Sequence, residues 1–343
     1  MKKYDVAIVG AGPAGLFCAY ELIEKNNKLK IALIDKGRRA DTRMCPMKVN
    51  GGKCLNCNPC QIMSGYGGAG TFSDGKLNFI PKLGKSDLFK YMSQSEAYKI
   101  IDDTEEIFTR FKMDSEVYPS NMDEAEEIKK EVAKTGARLL LIKQKHLGSD
   151  KLPTYIKEFT DYLENKGVDI YQNADVLDIV SKKKNEHELI IKMPKKDETL
   201  VSKNVVVAPG RTGAKWIQEL ADKYNIPYTS QSIEIGVRVE VRKEILEDIT
   251  NVIYDPTIFI KTDTYTDEIR TQPFQTVFDI LGARILGKEH RAVVADAAAY
   301  PEIFYVAVAG NITVIPDGYG VCIAIGFISV LQQPEGPKHV PEL

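Results

Sequence analysis

Gly10, Gly12 and Gly15 interrupt the chain between an apolar run, residues 6–9, and an amphipathic stretch that leads to a second apolar run, residues 31–34, ending in Asp35. Few architectures accommodate this order. A buried strand that enters a glycine turn, opens a helix and returns as a second buried strand is the βαβ unit that cradles a dinucleotide. Gly10 permits the tight turn, Gly12 lets backbone approach a pyrophosphate, and Gly15 lets the helix pack close to the strand. Pro13 and Ala14 open the helix, whose free N–H groups and positive dipole end face the phosphates. Asp35, about 20 residues beyond Gly15, stands where a carboxylate accepts hydrogen bonds from a ribose, with Lys36 beside it.

The fingerprint does not by itself choose a dinucleotide, because the LIDKG ending serves FAD and NAD alike. Residues 203–216, KNVVVAPGRTGAKW, decide for FAD. There an apolar strand runs into Ala208, Pro209 and Gly210. This resembles the second, Ala-Thr-Gly type motif of FAD-dependent oxidoreductases, with proline in place of threonine. A single-fold NAD dehydrogenase has no need of it.

At 343 residues the chain can hold two domains. A net charge of −2 gives no basic footprint for nucleic acid. No segment before residue 300 approaches the length of a membrane span, and in the apolar tail 303–331 Asn311, Pro316 and Asp317 interrupt each run. Met-Lys-Lys passes directly into the first strand, leaving no room for a leader, so a cytoplasmic protein with reduced cysteines is expected.

Of six cysteines, Cys45, Cys54, Cys57 and Cys60 cluster as C-x8-C-x2-C-x2-C, while Cys18 reads as a small core residue of the first helix. Two consecutive C-x2-C steps bring thiolates into one compact loop, and tetrahedral sulfur ligation suits zinc or an iron–sulfur cluster. Redox-active thiols and inert thiols remain the alternatives, and spacing does not separate the two metals. Directly after comes SGYGGAGTFSDGK, in which Gly65, Gly67, Gly68, Gly70 and Gly75 are too dense for a regular helix or strand. Such backbone can lie flat against a flavin ring or a phosphate, and Ser64, Ser73 and Asp74 add polar groups to that surface.

Residues 85–135 carry apolar residues three and four apart among acids and lysines, the pattern of surface helices. Residues 153–193 read as a helix, a strand VDIYQNADVLDIV and a hairpin partner HELIIKM, and EIGVRVEV at 234–241 alternates like a strand of a β-rich domain. The return of the strand to Val176 resembles the place in an FAD fold where backbone meets the adenine.

These residues together resemble the FAD-utilising dehydrogenases, a bacterial and archaeal family within the two-dinucleotide-binding flavoprotein superfamily. The shared features are GAGPAGL, the CPM…CxxCxxC segment, SGYGGAGTFSDGKL, KHLGSDKL, APGRTGAKW, GVRVEV and YDPTIFIKTDTYTDEIRT, spanning residues 1 to about 271. The resemblance implies FAD bound through Gly10, Gly12, Gly15, Asp35 and the loop 65–75, and no defined substrate. It implies an α/β, Rossmann-like fold of the glutathione-reductase type. Residues 1–84 and 150–218 form its FAD-binding domain, completed by 303–331, with 85–149 inserted as helices. A β-rich substrate domain, 219–302, and an atypical tail, 303–343, follow.

Beyond Thr271 the resemblance ceases. Such flavoproteins close with an apolar strand ending in Gly-Asp; here the nearest candidate is ITVIPDGYG, whose Asp317 follows Pro316 rather than glycine. His146, in KHLGSDK, is the candidate proton donor, and His187, His290 and His339 are expected to be solvated. The expected function is an FAD-dependent oxidoreductase moving hydride or electrons between a small organic substrate and a partner, with NAD(P)H a candidate donor and a redox protein a candidate partner. A nicotinamide-dependent dehydrogenase without flavin, and a truncated, inactive nucleotide- or metal-binding protein, are the alternatives.

Overall fold

The computed structural model describes residues 1–84, 86–148, 150–228, 245–261, 268–271 and 321–322. Chain order begins β1 (Lys2–Val9), α1 (Pro13–Lys25), β2 (Ile31–Ile34), α2 (Pro46–Asn50), β3 (Lys76–Phe79), β4 (Lys82–Leu83) and β5 (Ser86–Asp87). It continues α3 (Gln94–Arg110), β6 (Val117–Tyr118), α4 (Met122–Lys134), β7 (Arg138–Leu140), β8 (Lys143–His146) and α5 (Leu152–Asn165). Then come β9 (Asp169–Tyr171), β10 (Asp175–Lys183), β11 (Glu186–Lys192), β12 (Glu198–Val207), α6 (Ala214–Lys223), α7 (Glu247–Ile253), β13 (Thr257–Lys261), β14 (Glu268–Arg270) and β15 (Val321–Cys322).

The main sheet runs β10-β11-β12-β1-β2-β9. β12, β1, β2 and β9 are parallel neighbours, and β10 and β11 join as an antiparallel hairpin. The fold is α/β with a parallel sheet, as the alternation of strand and helix predicts. Side chains alternate between its two covered faces. Val6, Ile8, Ile31 and Leu33 enter a core with Leu16, Phe17 and Ile23 of α1 and Phe159 and Leu163 of α5. Ala7, Val9, Ala32 and Ile34 enter a second core with Ile179, Leu189, Ile191 and Leu220. Burial on both faces is why these parallel strands read as continuous apolar runs rather than alternating ones.

Local signals hold at several ends. Pro13 starts α1 at a position where the missing N–H costs nothing. Ser93 and Glu96 form a reciprocal capping box at α3. The hairpin between β10 and β11 turns at Asn185, which takes a positive φ of 60°.

The segment VDIYQNADVLDIV is two strands, not one. It breaks at Asn173, with φ 52°, where Asn173 N–H donates to Gly37 O (2.8 Å) and Ala174 N–H to Asp35 O (2.9 Å). Apolar residues resume directly after this break, so the sequence pattern hides it. Residues 85–149 contain helices α3 and α4, and also β6, β7 and β8, of which β8 pairs with β3 and β7 with β13. Strands this short carry too few residues for alternation to register. β15 adds parallel to β12, Val205 opposite Val321. Among the described residues no helix is long and apolar enough to cross a membrane. Residues 234–241, Asp317, His290 and His339 lie outside the described residues.

Candidate functional site

The glycine turn after β1 is closed from two sides. Gly10 has φ 102°, and a Cβ there would collide with the carbonyl oxygen of Ala208. A Cβ on Gly15 would collide with the Gly10 carbonyl in the same way. Only glycine fits both places. Ala208 N–H donates to Val9 O (2.7 Å) and Gly10 N–H to Ile34 O (2.7 Å), so β1, β2 and β12 meet at the turn. Gly210, with φ 63°, then starts a short 3-10 turn, Arg211–Gly213.

Asp35 accepts from Ala11 N–H (2.8 Å) on one carboxylate oxygen and from Gly37 N–H (2.8 Å) on the other. Each oxygen keeps a further lone-pair direction for a ribose hydroxyl. Lys36 Nζ donates to Thr212 O (3.2 Å) instead of standing free. The N-terminus of α1 has Gly12 at its cap, no side-chain cap and no acid in its first turn. Its leading N–H groups, including those of Ala14 and Gly15, are therefore set for an anion.

The second glycine segment lies against the first. Gly67 N–H donates to Ala11 O (2.8 Å), and a Cβ on Gly68 would sit 3.2 Å from the Cα of Gly12. Gly65, Gly67 and Gly68 have φ of 117°, 84° and 64°, and Gly70 lies in a 3-10 turn, Ala69–Phe72. Ser64 Oγ is 3.3 Å from Thr212 Oγ1, which ties this loop to the segment after Gly210. Ser73 and Asp74 are engaged locally: Ser73 Oγ donates to Gly70 O, and Asp74 accepts from Lys76 N–H. The residues fit a dinucleotide: a bare helix end, backbone free of Cβ atoms and an acid with spare lone pairs converge at one turn. Val176 lies at the start of the hairpin, in β10. It is buried opposite Ile191.

Arg43 and Tyr66 shape the cradle; Arg43 lies outside every motif, and Tyr66 lies within SGYGGAGTFSDGK without being marked by it. Arg43 is 4% exposed. Its guanidinium donates to Gln61 O (2.9 Å), Ile62 O (2.5 Å), Tyr66 O (3.0 Å), Gly68 O (2.8 Å) and Thr71 Oγ1 (3.0 Å). A glycine-rich loop leaves many carbonyls without ladder partners, and a planar five-donor group satisfies them together. Burial holds the Arg43 pKa down at about 10, with Asp35 and Cys60 opposing that shift. Tyr66 is fully buried and donates to Leu33 O (2.8 Å), with Tyr171 O at 3.2 Å, fastening the loop beneath β2. The only available signal was indirect: a lone tyrosine among glycines must anchor to something.

Cys45, Cys54, Cys57 and Cys60 are free thiols, with Cys54 exposed and the others half-buried. Among the described residues no three histidine, cysteine or acidic side chains converge on a metal-sized point. No metal enters the function proposed below. Cys18 is buried in α1, as expected.

His146 belongs to a different cluster. Burial, and then the nearby Lys76 charge, push its pKa down to about 3, which favours the neutral imidazole. Among the described residues neither ring nitrogen has a hydrogen-bond partner, and the same is true of Asn78 Oδ1, Gln144 Oε1 and Asp255 Oδ1. Each such buried group costs about 1–3 kcal/mol if it stays unpaired. His187, expected in solvent, is fully buried in β11 with Nδ1 2.9 Å from Ser181 Oγ, and burial lowers its pKa. Its polar sequence neighbours face outward while the strand turns His187 inward.

No curated protein matches the sequence. Among solved structures, glycine oxidase from Geobacillus kaustophilus is 16% identical with a TM-score of 0.39, covering 66% of this chain and 60% of its own. L-amino acid deaminase from Proteus vulgaris is 13% identical with a TM-score of 0.35, covering 66% and 51%. The chain thus spans little more than half the length of these proteins. The family model described as pyridine nucleotide-disulphide oxidoreductase matches residues 4–212. That span covers β1 through the turn after β12 and includes the whole glycine cradle, and the chain belongs to the pyridine nucleotide-disulphide oxidoreductase family.

Proposed function

We propose that this chain binds FAD across the cradle formed by Gly10–Gly12–Gly15, Asp35 and the loop 64–75, and acts as an FAD-dependent oxidoreductase on a small organic substrate. The observation that carries this reading is the apposition of the two glycine segments, held by the bond from Gly67 N–H to Ala11 O (2.8 Å). The first segment is a dinucleotide turn. The second brings Gly65, Gly67 and Gly68, each at positive φ, beside it, backbone free of Cβ atoms that suits an extended, partly aromatic cofactor more than a compact one.

In this reading the N–H groups of Ala14 and Gly15 at the head of α1 hold the pyrophosphate, and Asp35 holds the adenosine ribose. Ala208 and Gly210 line the far side of the turn, where Ala208 already closes on Gly10. Arg43 keeps the second loop in shape without contacting the cofactor. FAD, when bound, supplies the hydride or electron chemistry; the chain supplies position and electrostatics. NAD(P)H as donor and a redox protein as partner belong to the same proposal.

Purification tests it. The expected protein is yellow, shows flavin absorption that dithionite bleaches, and releases FAD on denaturation. Colourless protein that takes up NADH but no flavin would overturn the reading in favour of a nicotinamide-dependent dehydrogenase.

A further inference from the structure

β3, β6 and β8 form a small sheet beyond the cradle, and β3 starts at Lys76, directly after the glycine loop. Their register sets Lys76 opposite His146, Asn78 opposite Gln144, and Tyr118 opposite Gln144. Directly opposed residues share a face, and residues two apart stay on it. Tyr254 and Asp255, which follow α7, cover that polar face. Asp255 pairs with Lys76, 179 residues away in the chain, and its backbone oxygen accepts from Gln144 Nε2 at 3.2 Å. The Tyr254 ring lies 3.8 Å from that of His146, centroid to centroid, and Val252 O accepts from Ser120 N–H (2.8 Å). Tyr254 holds a φ of 64°. A bulky residue keeps that conformation where its surroundings over-determine it, and here the constrained residue is the one that delivers Asp255.

Lys76 has two acids within reach. Asp74 stands two residues before it, half-buried at the end of the glycine loop, and its Oδ1 accepts from the Lys76 N–H at 3.3 Å. The Lys76 ammonium nonetheless pairs with Asp255, which is 4% exposed. Burial raises the Asp255 pKa; Lys76 opposes that shift and the Asp74 charge adds to it, so the two carboxylates feel each other. Coulomb attraction strengthens as solvent is excluded, which favours the more buried of the two acids as the partner. Among the described residues the Asp74 carboxylate forms no ion pair, and it keeps lone pairs for a donor from outside the chain. The backbone around it is pinned, because Gly148 N–H donates to Asp74 O (3.0 Å) and Leu147 N–H to Gly75 O (3.1 Å).

We propose that Asp255 is a positioning residue: it holds the Lys76 ammonium off Asp74 and so keeps the Asp74 carboxylate open to accept from the cofactor. This rests on the flavin reading, in which Asp74 belongs to the loop that meets FAD. The link is asymmetric. Without Asp255, the Lys76 ammonium is left in a mostly enclosed place without a counter-ion, and Asp74 becomes its partner. Without Lys76, nothing competes for Asp74, and burial leaves the Asp255 carboxyl in its neutral form. A mere structural tie between the two segments would be broken equally from either side.

FAD titration of the full-length apoprotein tests that asymmetry. Asp255→Asn, which keeps the size and removes the charge, is expected to weaken FAD about tenfold. Lys76→Met is expected to bind within about twofold of the parent. Equal losses in the two variants, or no loss in Asp255→Asn, overturn the proposal. Should Asp255→Asn fail to fold, Lys76→Met decides alone, since a tenfold loss there contradicts a lysine that only competes for Asp74. A crystal structure of flavin-free Asp255→Asn gives a second readout. Lys76 Nζ is expected within about 4 Å of the Asp74 carboxylate, and an ammonium that stays beside residue 255 overturns the proposal whatever the affinities. A parent chain that takes up no FAD refutes the flavin reading, while the flavin-free structure still decides whether Asp255 holds Lys76 off Asp74.

Discussion

The backbone amide of Ala11 donates to Asp35 at 2.8 Å. The acid at the end of β2 is thus built into the glycine turn, and in the proposed reading the same side chain that shapes the turn also holds the ribose. Removing that carboxylate releases the amides of Ala11 and Gly37 together.

Asp35→Ala is accordingly expected to lower stability by about 2–4 kcal/mol, two charge-assisted bonds being lost. It should also weaken FAD by at least about tenfold, about 1.4 kcal/mol. Urea denaturation and flavin titration of the apoprotein check the two numbers separately. A variant that melts like the parent would show that Asp35 does not organise the turn.

Two glycines with positive φ should respond very differently to alanine. Gly10→Ala drives a methyl into the Ala208 carbonyl, and a loss above about 4 kcal/mol is expected because backbone must move. Gly51, with φ 72°, has nothing within 4 Å of its would-be Cβ. Gly51→Ala should cost about 1–2 kcal/mol, the conformational penalty alone. Equal effects in chemical denaturation would mean the close approach at Gly10 is not what constrains it.

Arg43→Lys keeps the charge but loses the fork that reaches five acceptors. Carbonyls of residues 61, 62, 66 and 68 then compete for three rotatable donors. We expect a loss of about 3 kcal/mol in stability, with Arg43→Met worse. Faster amide exchange of the loop 61–71 is the expected signature, and unchanged protection there would contradict the clamp.

His146 gives the protein an acid-side stability slope. Its folded pKa, about 3, lies below the ordinary value of 6.5. Above pH 6.5 it is neutral folded or unfolded and contributes nothing. As pH falls through 6.5 toward 3, only the unfolded chain takes up the proton, so stability drops by up to about 1.4 kcal/mol per pH unit. His187 moves in the same direction, so the comparison is with His146→Gln, which should flatten the slope between roughly pH 6 and 4. Parallel curves for parent and variant would show that His146 protonates freely in the fold.

The nucleotide turn was legible because its determinants are local. Val6 to Asp35 carry strand, turn, helix and strand in one stretch, and Gly10, Gly12 and Gly15 announce backbone that side chains cannot occupy. The density of glycine at 65–75 was legible for the same reason. Other features came only with the tertiary structure. Arg43 satisfies carbonyls up to Gly68 and the Thr71 hydroxyl, and nothing in an arginine ahead of a cysteine block says which carbonyls will lack partners. The cysteine spacing suggests convergence, and whether thiols gather on one point is settled by the fold of the loop and not by spacing; among the described residues no three such groups converge. The polar face joins residues 76, 78, 118, 144, 146 and 255 through strand register. Periodicity and glycine usage are set by each residue's own backbone, so sequence alone determined the βαβ cradle. Which buried polar groups find partners depends on contacts across long separations, and only the folded chain decided that.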